Sequence, residues 1–150
     1  MIHEPSANMP DLFIEMKKYT FSKEERLCSK RLIDGLFHNG SSFVVYPYRV
    51  IYSRTAVALP FPVQVITSVS KRRFKHAVMR NRLKRLIREC YRLEKHNLYD
   101  YLNEHSLHLL LAIQYIGKEE LPFTDLHQKM KMLLEKLSHE LASSTLGKRN

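Results

Sequence analysis

Arg80, Lys84, Arg88 and Arg92 recur at every fourth position within and just beyond the stretch KRRFKHAVMRNRLKRLIREC, residues 71–90. On a helix that spacing lines up four like charges along one face, and like charges at i,i+4 are destabilising. A face built for its own stability alternates Glu with Lys or Arg, so this ladder calls for an anion from outside. Arginine outnumbers lysine on the predicted helix, and its planar fork suits bidentate contact with phosphate. The chemistry on offer is neutralisation of a polyanion. Charge alone does not decide between DNA and RNA.

The charge is also localised. Residues 71–95 hold eleven Lys and Arg against Glu89 and Glu94, whereas the remaining 125 residues hold 14 bases and 13 acids. A concentrated patch on a chain of net charge +10 holds its polyanion at a defined place. Lys71-Arg72-Arg73 falls between a strand and a helix, which reads as a structured loop and not as a localisation signal. Ser68-Val69-Ser70-Lys71 lacks the glycines with which a backbone wraps phosphate.

Bond-breaking chemistry has no comparable support. A nuclease needs clustered carboxylates for divalent metals, or paired His for acid–base work. Asp11, Asp34, Asp100 and Asp125 are scattered, Glu24-Glu25 and Glu119-Glu120 are adjacent pairs that diverge on a regular element, and the eight His show no metal spacing. Cys28 and Cys90 read as free, buried thiols. The chain is expected to hold neither a catalytic residue nor a metal site of its own.

The elements that position the basic stretch follow from pattern. With 150 residues and 44% hydrophobic composition, one globular domain over residues 19–142 is expected, with a flexible extension at 1–18 and a frayed tail at 143–150. No apolar run approaches the roughly 20 residues of a membrane span, and the N-terminus lacks a basic-then-apolar signal segment. A cytoplasmic protein without a membrane partner is expected.

Ser22 with Glu25 reads as a capping box opening a first helix through Leu27, Ile33, Leu36 and Phe37, stopped at Gly40. FVVYPYRVIY, residues 43–52, reads as a strand whose Pro47 marks an edge or a bulge. Val63–Val69 is a second strand. The basic helix spans about His76–Lys95, Leu107–Tyr115 is a central strand buried on both faces, and Leu126, Met130, Leu133, Leu134, Leu137 and Leu141 stripe a last helix. The order predicts an α+β layer of helices on a small sheet.

At about 100° per residue, Met79, Leu83, Leu86, Ile87 and Cys90 share the core side of the basic helix. Asn81, Lys84, Arg85, Arg88 and Arg92 lie opposite, with Arg80 and Arg82 at the flanks. A second feature is aromatic: alternation puts Tyr46, Tyr48, Val50 and Tyr52 on one strand face. With Phe37 they offer either core or a stacking platform for single-stranded nucleotides.

The motif Ser68-Val69-Ser70-Lys71-Arg72 followed by Ala77-Val78-x-Arg80-Asn81-Arg82-x-Lys84-Arg85-x-x-Arg88-Glu89 resembles the bacterial ribonuclease P protein family, over roughly residues 20–138. Two departures are Phe74, where the family often has Gly, and Gln114-Tyr115, where it often has Arg. The resemblance implies a two-layer α/β sandwich with a small mixed central sheet, three helices and a left-handed βαβ crossover, of the ribosomal protein S5 domain 2-like kind. It implies a non-catalytic cofactor of a ribozyme whose RNA subunit removes the 5′ leader from precursor tRNA. Lys71, Arg72, Arg80, Asn81, Arg82, Lys84, Arg85 and Arg88 would then dock on ribonuclease P RNA. Phe37, Tyr48 and Tyr52 would line the leader cleft, and Mg²⁺ would be held mainly by RNA. Two other readings stand beside it: a basic module of the ribosome or another structured RNA, and an autonomous nuclease.

Overall fold

The structure is a computed structural model that describes residues 20–148; the expected extension at 1–18 and the last two residues lie outside it. In chain order it contains α1 (Lys30–Asn39), β1 (Ser41–Val45), β2 (Tyr48–Arg54), β3 (Val63–Val69), α2 (Ala77–Glu94), α3 (His96–Glu104), β4 (Leu109–Tyr115) and α4 (Phe123–Lys148). The four strands form one sheet in the order β1-β2-β4-β3. β1–β2 and β2–β4 are antiparallel, while β3 and β4 run parallel with Val63 opposite Leu109 and Val69 opposite Tyr115. The basic helix α2 lies inside the crossover that joins this parallel pair.

Alternation divides the sheet into two faces. Tyr48, Val50, Val63, Val65, Leu109, Leu111, Ile113 and Tyr115 point to the main core. There they meet Leu83, Ile87, Cys90 and Tyr91 of α2, Leu98 and Leu102 of α3, and the six-residue stripe of α4. All six stripe residues are buried, as their spacing predicts, and burying each such side chain contributes about 2 kcal/mol. β4 lies between β2 and β3 and is buried along almost its whole length. The opposite face carries a smaller cluster of Leu27, Leu36, Ile51, Leu110 and Ala112, over which α1 lies.

Four elements differ from their sequence expectation. The Glu25 carboxylate does accept from the Ser22 backbone N–H (2.7 Å) and hydroxyl (3.1 Å), yet this cap opens only a three-residue 3-10 turn, Lys23–Glu25. α1 starts at Lys30 with its own cap, the Ser29 hydroxyl oxygen accepting from Leu32 N–H. Residues 43–52 form a hairpin instead of one strand, because Tyr46-Pro47 is the turn between β1 and β2. Last, α3 follows α2 almost without a break and buries Leu98 and Leu102 at i,i+4 spacing, and α4 continues to Lys148, into the expected tail. Gly40, where α1 meets β1, is required by close approach: a Cβ there would lie 2.5 Å from Leu36 O and 2.7 Å from Ile51 Cγ2.

Candidate nucleic-acid interface

The loop that leads from β3 into α2 is fixed by its own residues. Phe74, at the position where the resembling family often has Gly, is buried with its ring 5.9 Å from that of Tyr115. Its N–H donates to Ser70 O (3.0 Å), and Arg72 N–H donates to the Ser70 hydroxyl oxygen (3.1 Å). Arg80 Nη1 then donates to both Phe74 O and Lys75 O at 2.8 Å. Arg73 donates to Ile116 O and ties the loop to the end of β4. The predicted docking residue Arg80 therefore has a structural task as well: it holds the loop against the first turn of α2. Lys71 and Arg72 project from this loop into solvent.

Along α2, Leu83, Ile87, Cys90 and Tyr91 are buried. Met79, expected in the core, is 36% exposed beside Val78 at 82%, because the first turn of α2 extends past the elements it packs on. Asn81, Arg82 and Arg85 are exposed, and Lys84 and Arg88 are half-buried. The four-membered ladder is shorter in charge terms than its spacing implies. Arg92 makes a paired contact with Glu89 at 3.0 and 2.6 Å, which holds the Glu89 carboxyl below its usual range and raises the Arg92 guanidinium. Arg82 Nε lies 3.1 Å from Glu120, but its side chain remains 65% exposed, so that pair is weak.

Lys84, Arg85, Arg88 and the nearby Arg26 have no carboxylate partner among the described residues. Burial, and then the Arg26 and Arg85 charges, lower the Arg88 guanidinium from its ordinary value. Arg26 is a part of this cationic surface that sequence reasoning missed. It lies far from the basic run in sequence, and only its pairing beside Val65 of β3 brings it there.

The three expected leader-lining residues are not brought together. Phe37 is 43% exposed on α1. Tyr48 is fully buried on the other face of the sheet, where its hydroxyl donates to Leu126 O (2.9 Å) and burial pushes its phenol well above the ordinary value. Tyr52 is 8% exposed, its hydroxyl 3.3 Å from Glu140 Oε1. Alternation along β2 does place Tyr48, Val50 and Tyr52 on one face, but the leucine stripe of α4 takes that face. Neither tyrosine presents a ring to a base. Tyr46 sits in the hairpin turn, 53% exposed.

The opposite face of the sheet makes the open surface instead. Val44, Arg49, Gln114 and Ser68 are direct partners across β1, β2, β4 and β3, a straight row over the whole sheet. The row lies on the face that α1 covers only in part. Val44 is 51% exposed, Arg49 is exposed, and Gln114 and Ser68 are half-buried. Of the four, only Arg49 belongs to the polar half of the alternation that singled out the tyrosines; Val44, Gln114 and Ser68 join it through strand pairing.

Among the described residues, no group of three or more His, Cys, Asp or Glu is placed to hold a metal ion. Glu25, which has 0% exposure, is paired with Lys95, and His127 pairs with Glu94 at 2.7 Å. Both cysteines are free. Cys90 is buried, and burial pushes its thiol up to about 12, whereas Cys28 is exposed, contrary to expectation, because the segment after the 3-10 turn runs along the surface.

A family model described as Ribonuclease P matches residues 21–138. A protein of Porphyromonas gingivalis named Ribonuclease P protein component is 38% identical over 128 residues, covering 85% of this chain and 93% of that one. One of the same name from Chlorobium phaeobacteroides is 37% identical over 133 residues, covering 83% and 89%. Among solved structures, the Staphylococcus aureus RNase P protein matches with a TM-score of 0.60 at 18% identity, covering 75% of this chain and 94% of that one. The Thermotoga maritima RNase P protein matches at 0.57 with 21% identity, covering 75% and 96%. At such identities the structural likeness speaks for the fold.

Proposed function

From the premise that this chain belongs to the ribonuclease P protein family, we propose how its surfaces divide the work of that ribonucleoprotein. The chain is the protein subunit of the endoribonuclease that matures the 5′ end of tRNA, and it assists an RNA partner without catalysing the cleavage itself. Lys71, Arg72, Asn81, Arg82, Lys84, Arg85 and Arg88, with Arg26 added, dock on the ribonuclease P RNA. Arg80 holds the loop that presents them. The observation that carries this reading is the set of four cations, Arg26, Lys84, Arg85 and Arg88, with no carboxylate partner among the described residues. An RNA that supplies phosphates there releases its counterions and relieves the mutual repulsion of the side chains. Phosphate contacts of this kind set position and register, and uncharged Asn81 in their midst adds a donor and an acceptor for base or sugar.

The precursor tRNA leader runs along the open sheet face, over Val44, Arg49, Gln114 and Ser68, with Phe37 of α1 as its aromatic contact. Arg49 meets a leader phosphate there. Mg²⁺ serves the RNA and the substrate. This chain's contribution is to lower the repulsion between two large polyanions, so that less Mg²⁺ is needed to hold them together. Among the described residues no helix is long and apolar enough to cross a membrane, and the reading places the protein in the cytoplasm with its RNA.

Reconstitution tests it. The chain, ribonuclease P RNA and precursor tRNA are combined at low Mg²⁺ and cleavage is compared with each left out. Stimulation of RNA-dependent cleavage is expected. Cleavage by the protein alone would overturn the cofactor role, and RNA binding without stimulation would leave a generic structured-RNA module.

A further inference from the structure

β3 is an edge strand, and its outer edge is only partly covered. Arg26 bridges to Val65 in parallel fashion, and Leu27 N–H donates to Val65 O at 2.9 Å. Because strand backbone groups alternate in direction, Thr67 sends its own N–H and C=O to the same outer side. No hydrogen bond of either group exists among the described residues. A cavity of about 180 Å³ opens at this point. Phe21 and Ile66 contribute apolar wall, Arg26, Lys84 and Arg88 contribute cations, and Cys28 stands at the same opening. Phe21 is braced from behind by an edge-on contact with Tyr91 at 5.9 Å, and Arg88 Nε is held by Lys84 O at 3.3 Å.

We propose that this cavity receives a single unpaired nucleotide of the bound RNA, its phosphate against Arg26, Lys84 and Arg88 and its base against the Thr67 backbone edge. The inference rests on RNA docking by α2 and adds a subsite to it. An unpaired base carries a donor and an acceptor side by side, which is what one strand residue presents at a free edge. The apolar wall accepts the base's flat face, and such stacking is tolerant of sequence. A paired helix cannot offer the same contact, since stacking within the duplex hides the flat face that the apolar wall of Phe21 and Ile66 would take. A phosphate alone would satisfy the cations and leave the Thr67 N–H and C=O unmet.

Cys28 makes the test direct, because buried Cys90 does not compete for a thiol reagent. The rate of maleimide labelling at Cys28 is measured for the full chain alone and with ribonuclease P RNA, a short single-stranded oligoadenylate, a blunt RNA duplex, or inorganic phosphate at matched ionic strength. We expect the first two to slow labelling about tenfold, and duplex and phosphate to leave it unchanged. Thr67→Pro removes the edge N–H, which an edge strand tolerates, and should weaken oligoadenylate binding about tenfold, or 1.4 kcal/mol. Lys84→Gln, which alters no backbone group, should weaken it too and lower the salt slope by about one. Equal protection by duplex or phosphate would overturn the base site and leave a charge patch. Ribonuclease P RNA that binds without protecting Cys28 would overturn it as well, with docking intact. Absence of any binding to that RNA would bring down docking and the subsite together.

Discussion

Lys95 donates from the corner between α2 and α3 to the carboxylate of Glu25, seventy positions earlier in the chain, and neither side chain reaches solvent: their exposures are 3% and 0%. The same carboxylate accepts from Tyr99 Oη at 2.7 Å and from Ser22, and Lys95 also donates to Thr20 O. Desolvation lowers the Lys95 ammonium from its ordinary value, against the opposing pull of Glu25. Removing one member leaves a buried charge alone, so Glu25→Gln or Lys95→Met should each cost about 3–5 kcal/mol. The pair Glu25→Leu with Lys95→Met removes both charges and should recover only part of that, because Tyr99 Oη and Ser22 N–H then lose their acceptor, at about 1–3 kcal/mol for each buried group left unmet. Urea unfolding of the three variants checks it; single variants within about 1 kcal/mol of the parent would show that the pair is not held as described.

Stability should fall at alkaline pH for a separate reason. Burial raises the phenols of Tyr48 and Tyr91, both at 0% exposure. The unfolded chain releases these protons near pH 10, while the folded chain retains them. Above that value the folded state binds more protons, and stability drops with rising pH at about 1.4 kcal/mol per pH unit for each phenol. Denaturant midpoints between about pH 9 and 11.5, together with tyrosinate absorbance, measure this. Phenols that ionise near pH 10 without loss of structure would contradict it.

The cations of α2 should not be equivalent. Arg85→Ala and Lys84→Ala, which remove unpaired charges, should weaken ribonuclease P RNA binding and lower the salt slope by about one for each phosphate no longer neutralised. Arg92→Ala, whose side chain is engaged by Glu89, should change the slope little. Arg80→Ala should also loosen the loop at Phe74 and so reduce thermal stability, which Arg85→Ala should not. Filter binding across a salt series, with melting temperatures alongside, separates the four variants.

The aromatics should separate just as clearly. Phe37→Ala should weaken binding of precursor tRNA by roughly 1–3 kcal/mol, the range for an aromatic–base contact, and leave mature tRNA unaffected. Tyr48→Phe removes the hydroxyl's bond to Leu126 O, a carbonyl that keeps its helical partner in α4, and should cost about 0.5–1.5 kcal/mol of stability with no preference for the leader. Equal losses on both RNAs for Phe37→Ala would place that ring in a structural role.

Much of this architecture can be read from residue pattern where a single interaction decides the outcome. The α4 stripe is set by helical period, the burial of β4 by its unbroken apolar run, and the inner side of α2 by both. What escapes the pattern depends on a second element. The tyrosines of β2 alternate correctly, but which helix covers them is decided by the leucines of α4, more than seventy residues away. The Ser22–Glu25 cap is present and real, yet Lys95 pulls Glu25 inward and the chain leaves the helical path. Arg26 joins the cationic surface only through a backbone bridge. Pro47 reads as a disturbance in either case, and a hairpin turn differs from a bulge only by where the strand resumes.

The placement of α2 between two strands that are neighbours in the sheet also decides how a load on it is felt. A helix at a terminus can peel away by itself, whereas α2 cannot leave without taking slack from β3 on one side and β4, the strand at the heart of the sheet, on the other. Local opening of the docking helix is therefore coupled to global unfolding. A partner that grips α2 raises the free energy of unfolding of the whole domain by mass action. Amide exchange in β4, which touches no part of that partner, should slow in step with the protection of α2.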